Sequence, residues 1–104
     1  MQNPITVIDA IEGILEECRS WDRPGQIGAF AALTILIRDL DLYIEKIEMP
    51  GRAYLSEKLT GVESHVRAML GMDYNSGHSA ESHFGSAYGE LQTARDLFEE
   101  AKTA

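Results

Sequence analysis

The sequence predicts an all-α fold, an antiparallel four-helix bundle built as two helical hairpins and self-associating through its second helix. Three observations predict it. Apolar residues recur at steps of three and four along four separate segments. Pro and Gly fall between those segments rather than inside their seams, apart from a few thin positions. The β-branched run in the second segment raises a strand alternative, but its helical spacing continues through Ile47, which argues against a strand.

The first helix is expected from Pro4, with Asn3 as its cap, because proline's missing N–H costs nothing in a first helical turn. Ile8, Ile11, Leu15 and Cys18 form its apolar stripe, widened by Val7 and Ile14, and Asp9, Glu12, Glu16 and Glu17 lie mostly opposite. The segment ends near Trp21, and Asp22-Arg23-Pro24-Gly25 reads as a turn.

The second helix carries the strongest periodicity. Phe30, Leu33, Ile37, Leu40, Ile44 and Ile47 alternate steps of three and four, a heptad-like seam. Between Ile27 and Ile37 there is no charge, and Thr34 is the one polar side chain. A helix apolar on every face must be buried on every face. A lone bundle leaves one face of each helix in water, so the sequence predicts a second copy of the chain against Phe30, Leu33 and Ile37.

Pro50-Gly51 interrupts the pattern, because proline removes a backbone donor and clashes with the preceding turn. A tight reversal is expected there, a kinked continuous helix being the alternative. The third helix repeats the seam through Leu55, Leu59, Val62, Val66 and Met69, with Gly71 suited to a left-handed C-cap. Residues 71–79 read as the longest loop. Ser79 is placed to cap the fourth helix, whose face is Ala80, Phe84, Ala87, Tyr88, Leu91, Ala94 and Phe98.

Composition bounds what such a bundle does. The 104 residues are 44% hydrophobic, too apolar for a disordered chain and enough for one domain over residues 1–104. One cysteine excludes an intramolecular disulfide framework and a multi-Cys zinc site. Lys and Arg total 9 against 17 Asp and Glu, a net charge of −8, which repels nucleic acid and gains nothing from an anionic membrane. Neither a direct nucleic-acid partner nor a membrane is therefore expected. With no basic N-terminal region before an apolar run, a cytoplasmic protein is expected.

No catalytic constellation emerges. Cys18 lies on an apolar stripe and reads as a small buried hydrophobe. His65, His78 and His83 fall near one another in sequence, but Glu63/His65 and Glu81/His83 are two residues apart. Such pairs point about 200° apart around a helix, whereas helical metal ligands sit three or four apart. Solvent-exposed histidines are the plainer reading, and no metal or other cofactor is expected. The Glu45/Glu48 and Asp96/Glu99 pairs share faces, and a solvated acidic exterior explains them better than a metal-dependent hydrolase does.

Surface charge remains. Asp9, Glu12 and Glu16 make one acidic stripe, Asp41, Glu45 and Glu48 a second, and Asp96, Glu99 and Glu100 a cluster near the C-terminus. The sequence therefore predicts a non-enzymatic interaction module, a small regulator or inhibitor. It would dock on a basic protein through the two stripes and mimic nucleic-acid charge. The alternative is a bundle that holds a small molecule or metal, reached by Tyr43, Tyr54, Tyr74, Tyr88, His78 or His83.

Overall fold

A computed structural model describes residues 3–72 and 79–103. The chain runs through α1 (Pro4–Glu17), a 3-10 turn (Cys18–Ser20), α2 (Arg23–Lys46), α3 (Arg52–Met69) and α4 (Ala80–Thr103). The described residues are all-helical in their regular structure, without strands.

Local chemistry sets each boundary. The Asn3 side chain accepts from the Ile5 N–H at 2.8 Å, with Pro4 in the first turn of α1. Asp22 caps α2 by accepting from the Gly25 N–H at 2.8 Å, so Asp22 to Gly25 open the helix instead of forming a free turn. Asp-x-Pro-Gly serves a turn and a helix start equally well in sequence, and here the proline sits in the first turn of α2, where its missing N–H costs nothing. At 48–51 the helix does break rather than kink. Glu48 takes a positive φ of 50° and Gly51 one of 73°, the second directly before α3. Gly71, at φ 72°, closes α3 with bonds from its N–H to Ala68 O and from the Met72 N–H to Arg67 O, the double pattern of a Schellman cap. Ser79 Oγ accepts from the Ser82 N–H at 3.1 Å and caps α4. Most of the expected 71–79 loop, with Asp73, Tyr74 and His78, lies outside the described residues.

One apolar core runs through the helices. Ile8, Ile11 and Leu15 of α1 meet Leu33, Leu40 and Ile44 of α2, Leu55, Leu59, Val62 and Val66 of α3, and Ala87, Leu91 and Ala94 of α4. Each helix packs on its neighbours in sequence, α1 closes against α4, and α3 and α4 share the most extensive contact. The Cα radius of gyration is 13.5 Å, close to the roughly 13 Å of a compact chain this long. Of the α4 face read from sequence, Ala80 and Tyr88 are exposed and His83 is buried in their place. No helix among the described residues is long and apolar enough to cross a membrane.

Candidate functional site

The first acidic stripe is not an open row of carboxylates. Asp9, Glu12 and Glu16 share one side of α1, as their spacing dictates. Arg95 of α4 reaches across to place Nη1 2.7 Å from Asp9 Oδ1 and Nη2 2.5 Å from Glu12 Oε2. Tyr88 Oη donates to Glu12 Oε1 at 3.4 Å. Burial lowers the Arg95 pKa, but the hydrogen bonds and charges of Asp9 and Glu12 outweigh it and hold the guanidinium above its usual value. These contacts tie α1 to α4 and leave Glu16 as the exposed acid of the stripe without an ion partner among the described residues. Sequence spacing finds like charges on one helix and is blind to an arginine more than eighty residues away.

The second stripe is more open. Asp41 is half-buried between α2 and α3, where Ser56 Oγ donates to its Oδ1 at 3.0 Å. Burial raises the Asp41 pKa, and the Ser56 bond offsets part of that shift. Glu45 and Glu48 are exposed and make no ion pair among the described residues. They border the end of the bundle where the main clefts lie. Asn3, Pro4 and Ile5 of the α1 start, Tyr43 and Ile47 at the α2 end, and Phe98 of α4 line a cleft of about 220 Å³. Tyr43 and Ile47 also border an outer groove of about 490 Å³ with Asp39, Leu42 and Lys46. Of the C-terminal cluster, Asp96 and Glu99 are exposed, and Glu100 lines a smaller cleft beside Met49 and Pro50.

The residues expected to mediate self-association face inward. Leu33 and Ile37 are buried in the chain's own core, and half-buried Phe30 lies under the Arg67 guanidinium of α3, 5.7 Å from its ring centroid. Their heptad seam is the intramolecular one. A different stripe of α2 is open: Ile27, Ile35 and Leu42 are 55%, 61% and 56% exposed. Ile35 and Ile37 are two residues apart, about 200° around the helix, so α2 carries two apolar faces on nearly opposite sides.

The histidines correct the sequence reading. His65 of α3 and His83 of α4 meet between the helices, Nδ1 to Nδ1, at 3.0 Å, and His83 is 8% exposed. At this contact one ring must donate through its Nδ1–H and the other accept. His65 Nε2 lies 4.0 Å from Glu90 Oε2, an oxygen that is itself buried without a hydrogen-bond donor among the described residues. Same-helix spacing misses this trio because its members come from facing helices. No three or more His, Cys, Asp or Glu residues among those described cluster as metal ligands.

Cys18 is buried with a free thiol, and burial pushes its pKa up, offset in part by a backbone hydrogen bond and by Arg19. Tyr54 and Tyr88 are exposed on α3 and α4, while Tyr43 joins the two clefts at the α2 end. Comparison of the chain with protein-family models, with curated proteins and with solved structures finds no match.

Proposed function

We propose that the protein is a non-enzymatic acidic interaction module, a small homo-oligomeric regulator or inhibitor that docks on a basic protein surface and mimics nucleic-acid charge. The observation that supports this most is the set of exposed acids that no cation of the described residues engages. Arg95 engages Asp9 and Glu12, Arg19 engages Glu81, and Arg67 engages Glu63. Glu16, Glu45, Glu48, Asp96 and Glu99 stay exposed without an in-chain ion partner among the described residues. Such a surface draws a basic partner from a distance and speeds its association.

The antiparallel order of the helices belongs to this reading. The α1 start lines one cleft with the ends of α2 and α4. At the far end, Arg19 bonds Glu81 and Arg23 donates to Leu70 O. Residence in the cytoplasm is part of the same proposal, and a reducing compartment suits the free Cys18 thiol.

The small-molecule reading has one observation in its favour, the cleft beside Tyr43. At about 220 Å³ it is below the roughly 300–1,000 Å³ of ligand pockets. The larger groove is lined by residues 39–47 alone, so it has no opposing wall.

Immobilised protein, challenged with lysate at low and high salt beside the Glu16→Lys/Glu48→Lys variant, tests the docking reading. The same bound proteins should be lost both at high salt and on charge reversal. Retention indifferent to both would overturn it.

A further inference from the structure

The outward face of α2 differs in charge from the rest of this chain. Ile27, Ile35 and Leu42 are each more than half exposed along it, with Gly28 and Ala31 exposed between them. Ile47, 46% exposed, continues the apolar surface past the helix end. The exposed charges that α2 carries along this face are Arg38, Asp39, Glu45 and Lys46, with Glu48 past the helix end beside Ile47. The four on α2 are exposed, and none makes an ion pair or side-chain hydrogen bond among the described residues. Those four balance to zero within a molecule of net charge −8.

From this we infer that the outward face of α2 is a self-association surface whose occupant is the same face of a second copy. The inference rests on the homo-oligomeric part of the proposed function and names the surface that part uses. Charge decides the occupant. Two copies of so acidic a chain repel one another, and the repulsion is least where the facing surfaces are neutral. Two cations and two anions on one face are self-complementary, since a two-fold pairing sets each copy's Arg38 and Lys46 among the other's Asp39 and Glu45. A basic partner would be better matched by Glu16, Glu48, Asp96 and Glu99, which carry no interleaved cation pair. The small side chains at Gly28 and Ala31 let a second helix approach closely, and Ile35 and Leu42 supply the apolar area that drives association.

Sedimentation of the full chain at tens of micromolar tests this, where a dimer of ordinary affinity is populated. Wild type should sediment at twice the chain mass. Ile35→Glu and Leu42→Glu should sediment as single chains with unchanged helical circular dichroism, because both side chains already face water. Tyr54→Glu, an exposed aromatic on α3, should remain dimeric. A single-chain wild type would overturn self-association altogether. A wild-type dimer that both α2 variants preserve would overturn the α2 face alone and leave the homo-oligomeric reading standing.

Discussion

Gly61 holds open the space that Glu90 fills. A Cβ at position 61 would fall 1.9 Å from Glu90 Oε2, so the carboxylate reaches its place beside His65 because α3 is bare there. In sequence this glycine reads as a weakness, worth about 1 kcal/mol of helix propensity relative to Ala. The structure makes it one member of a packed contact. Gly61→Ala should therefore stabilise the wild type by less than it stabilises a Glu90→Ala background, where no carboxylate has to leave. Chemical denaturation of the four proteins in that cycle measures the difference, and additive effects would contradict the contact.

Asp41 makes a second residue-scale prediction. Its pKa is raised in the folded chain, so the folded state holds the proton more tightly than the unfolded one. Its contribution to stability is therefore present at low pH and is lost as pH rises through the carboxylate range. Asp41→Asn keeps an acceptor for Ser56 and removes the buried charge. The variant should gain stability relative to wild type from about pH 4 upward, starting near the unfolded carboxylate pKa, and the gap should flatten once Asp41 is fully ionised. A gap constant from acid to neutral pH would contradict this.

At the scale of the element, α2 is the informative helix. Its sequence shows that the N-terminal half has more apolar surface than one core can take, and the structure bears that out in the exposure of Ile27 and Ile35. Which residues face out was not legible. The regular heptad of Phe30, Leu33 and Ile37 is the more conspicuous pattern, and in this fold the conspicuous pattern belongs to the core. A seam and its opposite face differ by about 200° of rotation, and only the packing of α1 and α3 against α2 fixes which side is which. The two isoleucines two residues apart separate these roles. Ile37, 2% exposed, should not tolerate Glu: a charge in the core costs several kcal/mol and should abolish the cooperative thermal transition. If Ile37→Glu melted cooperatively near the wild-type temperature, the assignment of the inner face would be wrong. The other helices were plainer, because the buried positions of α1 and α3 coincide with single stripes that have polar residues opposite.

At the scale of the whole molecule, charge and shape were legible to different degrees. Net acidity is visible in composition, but its distribution is not, because Arg95 bridges to Asp9 and Glu12 across the α1–α4 seam. The same limit hid the His65–His83 pair, whose members sit on facing helices. Pairings between distant segments follow from helix order and rotation, which local spacing does not encode. What emerges is a bundle with an acidic exterior, and one neutral apolar face on α2. In the proposed reading the first receives a basic partner and the second another copy of the chain.

A native mass spectrum of untagged protein purified without chelators tests self-association most directly, since it reads subunit number and bound mass together. A species at twice the 11.5 kDa chain mass with no additional mass bound is expected. A single chain carrying a stoichiometric metal ion or small molecule would contradict it. That result would move attention to the cleft at Tyr43 and to the His65–His83–Glu90 cluster.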